Sequence, residues 1–454
     1  MPSATIQKRD SVDLYLAAFD RLERDRRGEP AWLRQARRRG IDSFATIGFP
    51  TTREEEWRFT NVAPIAEARF DLPSHDGVVP RQAVESFVIP GVDGPLVVFV
   101  NGRFAPTLSS VGRGEDHAAI RGVSIESLAG LLRRDPGRVE SYLARYASSD
   151  ERGFTGLNTA LFEDGVVIET AANLVLEAPI QVVFLSMGNG TPSVSCPRVL
   201  MVAGPNSQAR LIEIFACARS GPTWTNAVTE LVAGDGAVVD HYRLQRESEA
   251  AFHIGHTHLH LSRSSHATSH AVSMGGLLAR HETVAVLAGE GVECTLNGLY
   301  LVDGRRLVDN RTEIDHARPN GTSYELYKGI LGGRARAVFN GRIRVRPDAQ
   351  KTNARQTNKT LLLSDDAQIN TKPQLEIRAN DVKCTHGATV GQLSEDALFY
   401  LQTRGIGKQE ARSLLVRAFA MDVVNRMALE PVRQELDRLL AARLPGSLAE
   451  KAFA

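Results

Sequence analysis

Residues 198–246 read RVLMVAGPNSQARLIEIFACARSGPTWTNAVTELVAGDGAVVDHYRLQR. Four short runs, RVLMVAG, ARLIEIF, AVTELVA and VVDHYRLQ, are rich in Val, Ile and Leu. Gly, Pro, Asn, Asp and Ser clusters separate them. Runs of this length and composition, bounded by turn formers, are strands. The pattern extends both ways. GVVIET and IQVVFLS precede it; HTHLHLS, HATSHAVSM, HETVAVLAG, GVECTLNGLYLV, YKGILGG and RAVFNGRIRV follow. Strands recurring about every 10–15 residues with little helix between them make an all-β unit of about 240 residues. A sandwich or closed barrel is possible, but so long a strand series without crossover helices suits a parallel β-solenoid better. No strict hexapeptide repeat accompanies it.

The flanks read differently. Up to about residue 45 the pattern is helical, with Ser11 as a cap before Val12, Tyr15, Leu16 and Phe19, and a second helix holding Trp32 and Leu33. The run Arg37, Arg38 and Arg39 reads as a solvated helix end rather than a phosphate patch. PLVVFVNGRFAP is a hairpin turned by Asn101-Gly102. Ser124–Leu132 and Pro136–Tyr146 read as short helices. Beyond Val390, Ser394 caps a helix with Leu398, Phe399 and Leu401 on its apolar face, and Gly405 stops it. A longer helix from Lys408 to Met427 follows, then a last one opened by Pro431. The expected division is a mixed helical region over 1–150, a β core over 151–393 and a helical tail over 394–454.

Composition narrows the function classes. Basic and acidic side chains number 54 and 53, so the net charge of +1 disfavours a dedicated nucleic-acid binder. Four cysteines in 454 residues exclude a disulfide scaffold. The N-terminus lacks the pattern of a secretory signal, and no apolar run would span a bilayer, so a cytoplasmic protein is expected. No phosphate-binding G-x-x-x-x-G-K-[ST] loop, G-x-G-x-x-G, H-E-x-x-H, C-x-x-C or G-x-S-x-G appears, which argues against nucleotide hydrolysis and against a stand-alone enzyme.

Three clusters could carry chemistry. His256, His258 and His260 alternate on one strand face; neighbours there lie nearly 7 Å apart, so a partly exposed sheet face is the plainer reading than a metal site. Cys384 and His386, two apart in DVKCTHG, also share a face and offer soft donors for iron or zinc, but two ligands do not complete a site. The polar series Lys351, Thr352, Asn353, Gln356, Thr357, Asn358, Lys359, Ser364, Asp365, Asp366, Asn370 and Lys372 reads as turn chemistry. Cys196, Cys217 and Cys294 sit in apolar strands and read as core residues.

The stretches AVFNGRIRV (337–345), KTNARQTNKTLLLSDDAQINTKPQLEIRANDVKCTHGATVGQL (351–393), LFYLQTRGI (398–406) and AxxLLVRAFAMDVV (411–424) resemble the SufB/SufD family of the SUF iron–sulfur cluster assembly system. EEEWRFTNVAPI (54–65) and GLNTALFEDGVVI (156–168) resemble its N-terminal element and the start of its β domain. Leu401 stands where SufB-like sequences carry a cysteine, which favours the SufD branch; a SufB-like paralogue is the alternative. The resemblance implies a right-handed parallel β-helix between helical regions. It implies a non-catalytic scaffold that pairs with SufB through the β-helix and holds the ATPase SufC through the C-terminal helices. It also implies iron or a transient cluster handled at the SufB interface by His386, with Cys384 beside it. Arg404, Gly405, Leu414, Leu415, Ala418, Phe419 and Val423 are the SufC-facing candidates. Without SufB, a homodimer through the uncovered interface is expected. A secreted-type β-helix carbohydrate enzyme is disfavoured by the missing export signal and carboxylate cluster. A zinc or haem carrier on the His256–His260 strand would need bound metal there.

Overall fold

The structure is a computed structural model describing residues 3–26, 28–73, 79–111, 121–188 and 190–444. From Arg198 onward, successive strands alternate between two parallel sheets, and from Thr223 to Leu362 each strand pairs with the ones two before and two after it. One sheet runs from Leu96–Val100 through Gln208–Cys217, Val238–Arg246 and His266–Ser273 to Asn353–Leu362 and Lys383–Gly391. The other runs from Gly165–Thr170 through Thr223–Ala233 and Phe252–Leu261 to Gln368–Ile377. The result is the expected solenoid, of about eight turns.

Alternation along each strand sorts the side chains. Leu211, Phe215, Leu231, Leu259, Ala285 and Phe339 point between the sheets and form the inner core. The interior is tight enough that glycine is required at two rungs. A Cβ on Gly298 would lie 2.1 Å from the Tyr327 ring, and one on Gly329 would lie 2.1 Å from the Tyr300 ring.

The flanking regions cover the outer faces. Tyr15, Phe44, Phe49 and Phe154 close around Trp224 on one sheet. On the other, Val84 and Ile89 pack with the tail residues Val416, Val424, Val432 and Leu436 against Tyr242, Leu299 and Ile330. A buried ion pair fixes the first contact. Arg198 and Glu230 meet at 2.6 Å with neither side chain exposed, and Glu230 also accepts from the backbone N–H groups of Ala144, Tyr146 and Ala147.

The two ends of the solenoid differ. At the N-terminal end each sheet finishes in an antiparallel strand: Arg103–Phe104, turned by Asn101 and Gly102 at φ 49° and 81°, and Val123–Ser127. At the other end Gln368–Ile377 and Lys383–Gly391 are edge strands, and among the described residues no strand pairs with their outer sides.

Several local expectations are corrected. Ser11 lies buried inside the helix Ser3–Asp25, not at its cap. Val123–Ser127 is a strand, and Ser127 caps the short helix Leu128–Arg134 by accepting from the Gly130 N–H. Pro136–Val139 is only a 3-10 turn. Arg37 is not solvated: Glu29 pairs with it, and the carbonyls of Ala160 and Phe162 accept from it at 3.0 Å each. Gln356 and Asn358 are inward-facing and buried on a strand rather than turn residues. The tail follows the sequence closely. Ser394 accepts from Ala397, Gly405 has φ 82°, and helices span Glu395–Thr403, Lys408–Val424 and Glu430–Arg443.

Candidate functional site

The last strand, Lys383–Gly391, lies parallel to Asn353–Leu362, with Cys384 opposite Ala354 and His386 opposite Gln356. Ala354 and Gln356 point into the solenoid and are 1% exposed. Parallel register keeps columns of side chains on one face, so Cys384 and His386 continue interior columns. Among the described residues no further coil lies over them. His386 is exposed and Cys384 half-buried. A face that would be core one turn earlier thus becomes the end surface of the molecule. Partial burial raises the Cys384 pKa above its ordinary value, so the thiol is protonated at neutral pH. Thiol and imidazole sit side by side, offering two donors to whatever covers the end.

Behind His386 its column is polar. Register aligns His241, Ser269, Leu296, Glu325, Gln356 and His386 on successive rungs. His241 Nδ1 lies 2.9 Å from Ser269 Oγ, and Gln356 Nε2 donates to Glu325 Oε2 at 2.7 Å. Burial raises the Glu325 pKa to about 7. Glu325 Oε1 and Gln356 Oε1 are buried without a hydrogen-bond partner.

The tail candidates divide. Arg404, Gly405, Leu414 and Ala418 are exposed, while Leu415 and Phe419 are intermediate. Phe419 lies under the Lys328 ammonium, 4.1 Å from its ring centroid, and Lys328 also pairs with Asp422 at 2.7 Å. Val423 is fully buried with Val424, Val432 and Leu436, so it holds the tail to the solenoid and presents no outer surface. Phe399 and Tyr400, at 69% and 57% exposed, face outward; of the apolar face expected on that helix only Leu398 is buried.

The histidine strand is a partly exposed face, as expected: His256 is buried, and His258 and His260 are half-buried. His256 is 5% exposed, and the Tyr146 ring covers His260 at 4.6 Å and His258 at 6.1 Å between centroids. Burial lowers the His258 pKa to about 3, so its imidazole is neutral. Among the described residues no three His, Cys, Asp or Glu side chains are grouped to hold a metal ion. His256 and His258 instead line a polar cavity of about 630 Å³ beside the EEEWRFT segment. There the Arg280 guanidinium lies 3.6 Å over the Trp57 ring, Glu56 pairs with Arg311, and Thr60 donates to Asp309 at 2.7 Å. That segment therefore straps the N-terminal region to the sheet. Cys196, Cys217 and Cys294 are buried and unbridged, as expected; burial pushes Cys196 and Cys294 up to about 12.

Comparison with known proteins places these features. Residues 184–419 match the SUF system FeS cluster assembly SufBD core domain, and residues 7–182 match the SufBD protein N-terminal region. The chain is 32% identical to an iron–sulfur cluster assembly SufBD family protein of Synechocystis, covering 91% of this chain and 92% of the relative. It is 30% identical to the iron–sulfur cluster assembly protein SufD of Escherichia coli, over 89% and 92% of the two chains. The SufD of Bacillus subtilis is 26% identical over 95% and 98%.

Proposed function

The chain belongs to the SufBD family of iron–sulfur cluster assembly proteins, and from that premise we propose that it is the SufD-type scaffold subunit of a SUF complex. In this reading its open solenoid end pairs with SufB, its tail holds a copy of the ATPase SufC, and it does no covalent chemistry of its own. Iron and sulfide are cargo at the joint, received by His386 and Cys384 together with ligands from SufB. The single observation that carries the reading is the terminal strand: two metal-suited side chains lie on a core-type face over which no strand among the described residues is laid.

The physics favours a second strand there. Two edge strands present unpaired N–H and C=O groups at one end, a ready template for addition of another sheet. A partner solenoid would extend both sheets and carry its own donors to within reach of His386. On the tail, exposed Phe399, Tyr400 and Leu414 offer apolar surface for SufC, flanked by Arg404. No helix among the described residues is long and apolar enough to cross a membrane, and we place the protein in the cytoplasm with its partners.

Co-expression with SufB and SufC, followed by anaerobic purification and measurement of iron and acid-labile sulfide, tests the proposal. A ternary complex carrying both elements is expected. A chain that co-purifies with neither partner would overturn it.

A further inference from the structure

Gln356 is held from two directions. Its Nε2 donates to Glu325 Oε2 at 2.7 Å on the preceding rung. Across the interior, a Cβ added to Gly341 would stand 2.2 Å from Nε2 and 2.8 Å from Cδ, so the amide fits only because that position on the facing strand is glycine. With the nitrogen committed to Glu325, the carbonyl oxygen is the free end. It is buried and has no partner, and leaving a buried acceptor unsatisfied is costly. His386 is the next rung of the same column, and imidazole carries an N–H donor in either neutral tautomer.

We propose that Gln356 is a positioning residue for His386: its carboxamide oxygen accepts a hydrogen bond from one imidazole N–H, fixing the ring and leaving the other nitrogen free to meet the cargo. Glu325 and Gly341 set the orientation of the amide, and the amide sets the tautomer of the histidine. A histidine that meets metal generally donates its second nitrogen to such a group. The consequence for cluster assembly rests on the cargo role proposed above for His386; the hydrogen bond itself does not.

The test uses the full-length chain labelled with ¹⁵N-histidine, with His386 assigned by the signal lost in His386→Asn. The wild-type protein is expected to show a His386 ring N–H whose exchange with water is at least about tenfold slower than in Gln356→Leu. Gly341→Ala, acting from the opposite sheet, should produce the same loss of protection. An unprotected His386 N–H in the wild type, which requires no variant to fold, would overturn the proposal, as would equal protection in a folded Gln356→Leu protein. Iron and sulfide loading of the His386→Ala complex separates the two readings. Normal loading with the protected N–H present removes the cargo role and leaves the hydrogen bond standing. Lost loading with an unprotected N–H removes the hydrogen bond alone.

Discussion

Arg198 and Glu230 form a fully buried ion pair whose carboxylate is shared with three backbone N–H groups of the segment Ala144–Ala147. Arg198 also donates to Asn158 Oδ1 and Thr159 Oγ1 at 3.1 and 3.0 Å. One pair therefore ties the N-terminal region to the sheet. Glu230→Ala strands a buried guanidinium and frees three amides, and a loss of about 3–5 kcal/mol is expected in urea unfolding. An unchanged midpoint would mean that the segment is anchored elsewhere.

Glu325 makes stability depend on pH in a particular direction. Its pKa in the folded chain, about 7, lies above the ordinary carboxyl value of 4.5. The folded state therefore holds the proton more tightly. This contribution is fully present below about pH 4.5 and is lost as pH rises through 7. The buried histidines act oppositely: His258 and His270 are lowered to about 3, so their contribution is lost as pH falls from 6.5 toward 3. Comparison with Glu325→Gln isolates the first effect. Between pH 5 and 8 the wild-type melting temperature should fall relative to that of the variant; parallel curves would refute it.

The two donors on the end strand should not be equivalent. Cys384 is a protonated thiol in the isolated chain, whereas an imidazole coordinates in its neutral form. His386→Ala is expected to fold and assemble but to lower cluster content by about tenfold or more, and Cys384→Ser to lower it less. Iron and sulfide per complex, measured anaerobically, give the ranking.

On the tail, exposure separates binding from folding. Leu414→Asp should change stability by no more than about 0.5 kcal/mol while weakening capture of the ATPase partner. Val423→Asp places a charge in the packed interface with Val432 and Leu436 and should release the tail. Circular dichroism and pull-down of each variant make the comparison. Full capture by folded Leu414→Asp would move the contact to another surface.

The solenoid was legible because its strands are short, apolar and punctuated, and because the tail helices carry explicit start and stop signals at Ser394, Gly405 and Pro431. What escaped depends on partners distant in sequence. Tyr146 packs on His258 and His260 from another region, so nothing within HTHLHL announces that contact. Glu325 finds Gln356 31 residues later, one coil on. Arg37 is drawn inward by carbonyls 123 and 125 residues away. Cys384 and His386 were found because strand alternation puts them on one face. That this face is an uncovered end required the order of the strands.

The antiparallel strands Arg103–Phe104 and Val123–Ser127 have a consequence for assembly size. They turn one end of each sheet away from further parallel addition, while among the described residues the opposite end stays open. A unit with one adhesive end can join only one other such unit by that route. Edge-to-edge growth then stops at a closed pair, whether the second member is identical or a homologue, and does not run on into a fibre.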